Sequence, residues 1–149
     1  MIVSALYYSY LLIKNANRKI LQLEGLCSMI SYIKNNIDSF MRPVGDIVNS
    51  FEGYGETLSS FMELARTHGL AAASESDVLS IGEDAYRILR DFSRQIGCGY
   101  KEDEIRLCTY CYNTMQDILN REREDIRKKM KMYKTLPVMS AMSVVLILL

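Results

Sequence analysis

All the charge of this 149-residue chain, 18 Lys and Arg against 18 Asp and Glu, lies between Lys14 and Lys134. The flanking stretches, MIVSALYYSYLLI at one end and TLPVMSAMSVVLILL at the other, carry none. The chain must therefore fold as a charged body with an apolar segment at each end. The first segment is followed by Lys14, Arg18 and Lys19, and the last is preceded by Arg127, Lys128, Lys129, Lys131 and Lys134. Both basic clusters face the intervening chain. Lys and Arg beside membrane segments stay on the cytoplasmic side. The layout predicts a membrane collar of Lys14, Arg18, Lys19, Lys128, Lys129, Lys131 and Lys134 around a cytoplasmic domain.

Length tests that expectation. A helix crossing a hydrocarbon core of roughly 30 Å needs about 20 apolar residues. Residues 1–13 and 135–149 reach only some 20 Å each at about 1.5 Å per residue. Snorkelling collar lysines and Tyr133 in the headgroup layer lengthen the usable C-terminal span. Tyr7, Tyr8 and Tyr10 make the N-terminal stretch more interfacial. A secretory signal would put its charge before the apolar run, whereas here the charge follows it.

From Glu24 to Asp125 there are 18 acidic and 10 basic residues, a net charge of −8, hidden in the overall zero. The basic collars suit an anionic leaflet, and the acidic body suits protein partners and argues against nucleic acid. About 120 residues suffice for one small domain. Only Pro43 and Pro137 interrupt a chain rich in helix formers, and no alternating strand pattern of useful length occurs. The predicted fold class is all-α, a helical bundle whose long C-terminal helix runs into a membrane anchor, with a short N-terminal membrane helix. Its parts are an N-terminal membrane segment (1–13), a cytosolic helical domain (14–120), a charged helical stalk (121–134) and a C-terminal membrane segment (135–149).

Helical periodicity places the elements. Ile20, Leu23, Cys27, Ile30 and Ile37, widened by Leu26 and Ile33, mark an amphipathic helix over about 15–40. Arg42-Pro43 breaks it, with Pro43 at the first position of a short helix through Val44, Ile47, Val48 and Phe51. Glu52 to Gly55 reads as a turn. Leu58, Phe61, Met62 and Ala65 form a further helix ended by Gly69 in a left-handed conformation. Leu70 to Glu75 reads as a linker. Ser76 or Ser80 caps a helix carrying Val78, Ile81, Ala85, Ile88, Leu89, Phe92 and Ile96, which Gly97 stops. The last helix starts near Lys101 and shows Ile105, Cys108, Tyr112, Met115, Leu119, Ile126, Met130 and Tyr133 at near-heptad spacing. Beyond Asn120 its charge goes almost all round, as on a solvated stalk. Pro137 kinks it or starts the membrane segment.

Chemistry-bearing constellations are thin. His68, the single histidine, reads as a helix-end residue. Cys108 and Cys111 have the two-residue spacing of redox and zinc sites, but they lie on a helix with no second ligand pair, so they read as core. Cys27 and Cys98 read as core and loop residues of a reducing compartment. Glu102, Asp103 and Glu104 complement a helix N-terminus. The glycines do not form a phosphate-binding loop. The expectation is a non-enzyme with no catalytic, cofactor-binding or metal-binding residue, no cofactor and no small-molecule substrate.

Arg18 with Leu23 and Leu26, Ile30 and Tyr32 before Pro43-Val44, then Phe92, Ile96-Gly97, the polar run to Glu104-Ile105, Leu119 and the closing VVLILL occur in an order that resembles the stage III sporulation protein AB family. The match is best from Phe92 onward. Pro137, the cysteines at 108 and 111 and the short N-terminal stretch depart from the pattern. The family is similar to inner-membrane platform proteins of type II secretion. The resemblance implies a membrane scaffold of the channel between mother cell and forespore, located in the mother-cell membrane with its central domain cytoplasmic. It implies that this domain docks an assembly ATPase like sporulation protein AA, and that the membrane segments meet lipid and other channel subunits. It carries over no catalytic residue. Two other readings stand beside it: a tail-anchored regulatory module whose N-terminal stretch folds into the bundle, and a membrane-bound thiol protein using Cys108 and Cys111.

Overall fold

The computed structural model describes residues 2–52 and 55–148, except for the side chains of Ile2 and residues 136–141. The described residues are helical with no strand. The helices are α1 (Ile2–Phe40), α2 (Val44–Ser50), α3 (Ser59–His68), α4 (Leu70–Glu75), α5 (Glu83–Gln95) and α6 (Lys101–Leu148), with a 3₁₀ turn at Glu56–Leu58.

The long outer helices α1 and α6 make the most extensive pairing in the molecule, and the short helices pack against them. Three contacts far apart in sequence make that pairing antiparallel. Lys101 Nζ donates to the carbonyl of Asp38 at 2.7 Å, Arg123 pairs with Glu24, and Lys19 pairs with Glu122 at 2.7 Å. The core lies between them, on the halves of α1 and α6 nearest the α1–α2 and α5–α6 loops. Leu23, Leu26, Met29, Ile30 and Ile33 of α1 are fully buried, as are Cys108 and Met115 of α6. The buried set on α1 is wider than one stripe because α6, α2 and the 3₁₀ turn all pack on it. Burying one such Leu or Ile side chain contributes about 1.5–3 kcal/mol.

Gly25 sits where the 3₁₀ turn crosses α1. A Cβ there would lie 3.1 Å from Leu58 Cδ2, so the missing side chain admits the buried Leu58. Gln22, fully buried beside it, fastens two loops to the helix. Its Nε2 donates to the carbonyl of Thr57 at 3.0 Å and its Oε1 accepts from the Ser80 amide at 2.7 Å. A buried amide side chain is retained when both its ends are satisfied in this way.

Three expectations change. First, α1 does not begin near Asn15 but runs unbroken from Ile2, because no proline or other helix breaker separates the apolar stretch from the amphipathic one. Second, Leu70–Glu75 is a helix and not a linker. Alanines 71–73 favour it, and Leu70, Ala73 and Ser74 bury one face against α3 and α5. Ser74 and Ser93 join α4 to α5 through a buried hydroxyl pair at 2.7 Å. Third, α5 starts at Glu83, so neither Ser76 nor Ser80 caps it. Residues 76–82 form a loop that buries Leu79 and Ile81. That loop needs no helix because Tyr86 serves its backbone: the hydroxyl accepts from the Leu79 amide at 2.7 Å and faces the Leu79 carbonyl at 2.9 Å.

Gly69 ends α3 as expected, but with φ 92 and ψ 160 it is outside the left-handed helical region, in an extended mirror conformation open to glycine. Pro43 stands one position earlier than expected, as the N-cap of α2. Helix α6 starts at Lys101, as periodicity predicts, and continues to Leu148. The expected kink falls on Pro137, whose side chain lies outside the described residues, as do Gly53 and Tyr54 of the predicted turn. Among the described residues, no helix is long and apolar enough to cross a membrane.

Candidate functional site

Because α1 and α6 are antiparallel, the two chain ends emerge at one pole, the stem, and the α1–α2 and α5–α6 loops meet at the other, the tip. The ion pairs Lys19–Glu122 and Glu24–Arg123 mark where body becomes stem. On the chain-end side of these pairs burial fades quickly. Among the described residues Ile126 is the last buried one of α6, at 9% exposed, while Val3, Leu6, Tyr7, Tyr8 and Tyr10 of α1 are all exposed. Ser9, Leu11, Ile13, Ala16 and Ile20 are half-buried, so the α1 part of the stem is only partly covered. The N-terminal stretch thus does not fold into the bundle.

The fold gathers the charge that the sequence splits between two ends. Outside Glu24 to Asp125 the chain has eight cations, Lys14, Arg18, Lys19, Arg127, Lys128, Lys129, Lys131 and Lys134, and no carboxylate side chain. Lys19 stands at the border and the other seven belong to the stem, whose α6 part also carries Glu124 and Asp125 next to the border pairs. Carrying the Lys19–Glu122 register along both helices at equal rise sets Lys14 level with Arg127. The same step sets Tyr7, Tyr8 and Tyr10 level with the turn that holds Lys131, Tyr133 and Lys134. Lys14, Arg18, Lys128, Lys129, Lys131 and Lys134 are exposed.

Lys19 differs from the other predicted collar residues. Its ammonium is half-buried on the Glu122 carboxylate, and a Cβ on Gly82 would lie 3.3 Å from Nζ, so the loop entering α5 closes over it. It ties the body to the stem. Glu24 and Glu122, its counterparts in this seam, were not singled out by sequence reasoning, because ion pairs spanning 99 and 103 positions leave no local pattern. Gln22 was missed too, although an uncharged polar residue inside an apolar stripe was a legible signal.

The cysteines lie apart from any reactive arrangement. All four are free thiols, with Cys27, Cys108 and Cys111 buried and Cys98 exposed. Burial pushes the Cys27 and Cys108 thiols up to about 11 and Cys111 up to about 12, so all three are protonated at neutral pH. That removes the basis for a thiol chemistry at Cys108 and Cys111. Among the described residues, no group of three or more His, Cys, Asp or Glu could hold a metal ion. His68 closes α3 on the surface. A wide-mouthed groove of about 700 Å³ between α1 and α6, lined in part by Glu24, Ser28, Tyr112, Gln116 and Arg123, converges on no buried acid, base or nucleophile available at neutral pH.

These features define an all-helical protein with a compact body and a two-helix stem that collects basic and apolar surface at one pole. The family model of stage III sporulation protein AB matches residues 1–149, and the chain belongs to that family, which gives it a role in sporulation. No curated protein and no solved structure matched it. The resemblance carried by Arg18, Leu23, Leu26, the Ile96-Gly97 stop and the closing VVLILL is thereby accounted for by family membership.

Proposed function

We propose that the protein is a non-enzymatic scaffold of the sporulation channel between mother cell and forespore, seated in the mother-cell membrane by its stem and docking an assembly ATPase like sporulation protein AA on its body. The observation that carries this reading is the juxtaposition in one stem of seven cations and two apolar helix ends, with Glu124 and Asp125 as its carboxylate side chains, next to the border pairs. A pair of short helices entering together shares its apolar surface, and collar lysines at one level reach the phosphates while the tyrosines lie among the headgroups. The body then stays on the cytoplasmic side, with its acidic surface turned to protein partners. The other channel subunits meet the stem's apolar ends. Exposure of Val3, Leu6, Tyr7, Tyr8 and Tyr10 favours this seat over the tail-anchored alternative, which requires them inside the bundle.

Topology tests the reading. The full chain, expressed during sporulation, should stay in the membrane fraction after alkaline carbonate washing, and a reporter at its N-terminus should be shielded from cytoplasmic labelling reagents. Release into the soluble fraction, or a freely labelled N-terminus, sinks the two-ended seat. Purified protein in vesicles should also retain the ATPase.

A further inference from the structure

Apart from the stem, the large apolar side chains left exposed in the described residues are Leu21, Phe40, Met41, Tyr100 and Tyr110. Leu21 and Tyr110 stand alone. Phe40, Met41 and Tyr100 belong to one pole, because Lys101 Nζ, bound to the Asp38 carbonyl at 2.7 Å and 3.6 Å from its carboxylate, holds the end of α1 against the start of α6. They are 70%, 72% and 85% exposed, more than a fold's own packing accounts for in three neighbouring large residues. We propose that this tip is the docking surface of a soluble protein partner that offers an apolar pocket rimmed by Lys and Arg.

Three further observations specify that partner. Met41 has φ 48, the left-handed region where helix ends ordinarily place glycine or asparagine, so strained backbone holds a flexible apolar side chain out in solvent. The elements meeting at the tip carry Asp38, Asp46, Glu102, Asp103 and Glu104 against Arg42 and Lys101, a net negative rim. Asp103 and Glu104 also line a recess of about 330 Å³ beside the Gly99–Tyr100 turn, and Arg94 in its wall is already held by Glu75 at 2.6 Å. Such a surface repels an anionic bilayer and attracts a basic protein rim. Phe40 also stands about 40 Å along α1 from Ile13, clear of the level assigned to the headgroups.

This inference rests on the scaffold reading, with the tip as the part of the body that takes the ATPase. The test uses the full chain in vesicles of phosphatidylglycerol and phosphatidylcholine, with a purified sporulation protein AA-like ATPase as the probe and flotation as the measure of binding. Phe40→Ser with Tyr100→Ser should weaken binding by about tenfold or more, as loss of central apolar anchors does. Met41→Gly, which relaxes the backbone and deletes the side chain, should weaken it in the same direction without loss of fold. Asp103→Lys should weaken it further at low salt than at high salt, and Tyr110→Ser should leave it unchanged. Binding that survives the tip substitutions, or falls equally with Tyr110→Ser, overturns the tip assignment while the scaffold reading stands. If the unsubstituted chain fails to bind the ATPase, both fall.

Discussion

Helices α1 and α6 each contain two halves that share one backbone conformation and have opposite fates. Toward the tip, α1 buries Leu23 to Ile37 and α6 buries Cys108 to Leu119 in a common core. Toward the stem the same helices expose tyrosines, valines and leucines. Helical continuity is thus no guide to burial; what divides the halves is whether short helices pack against the pair. Helices α2 to α5 cover the body, and the Lys19–Glu122 and Glu24–Arg123 pairs stand at its border. An apolar surface left uncovered beside a basic ring is a surface built for something other than this chain's own core.

The sharpest test of that division is a pair of truncations. Phe92→Ala removes a fully buried ring from the body and should cost about 3–5 kcal/mol in denaturant unfolding. Leu6→Ala in the stem should cost less than about 0.5 kcal/mol. Equal costs would mean the stem is part of the cooperative core.

Next in size is Gln22→Leu, which keeps the volume but leaves the Thr57 carbonyl and Ser80 amide without their partner. A loss of about 1–3 kcal/mol is expected. A neutral outcome would show that these loops hold without the polar staple.

At the border, Glu122→Lys should cost about 1–2 kcal/mol, since it removes the partner of Lys19 and sets a second cation beside it in a pair that is only about a quarter exposed on each side. Lys19→Glu in the same chain should restore part of that loss. A double-mutant cycle with no coupling would remove this pair as a tie between body and stem.

The smallest effect at neutral pH concerns the thiols. Alkylation of the folded chain at pH 7 should modify Cys98 and spare Cys27, Cys108 and Cys111. The fold holds these three ionisations at about 11 to 12, above the ordinary 9.0, so it is favoured while the thiols are neutral. Above about pH 9 the unfolded chain releases those protons first, and stability should fall as pH rises toward 11 to 12. Flat alkaline stability would contradict the burial of these residues.

Much of the body was legible because amphipathic helices declare themselves at a period of 3.6 residues. The stripe from Ile20 to Ile37, the break at Pro43, the stop near Gly97 and the start at Lys101 all follow from that pattern and from residue types that end helices. The regions that resisted were those whose conformation depends on partners distant in sequence. Helix α4 lacks a long period and owes its burial to α3 and α5. The 76–82 loop looks helical from Val78 and Ile81, yet Tyr86 and Gln22 supply its hydrogen bonds instead. The two basic clusters are legible residue by residue, but the engagement of Lys19 with Glu122 is not.

By itself, the sequence determined that this protein is all-helical, that its charge stops short of both ends, and that it belongs among the stage III sporulation AB proteins, since period, composition and residue order are local or linear properties. Only the tertiary structure decided that the two basic clusters share one stem and that Phe40, Met41 and Tyr100 share the opposite tip. The direction in which α6 returns along α1 depends on contacts between residues about a hundred positions apart, and no local pattern encodes that direction.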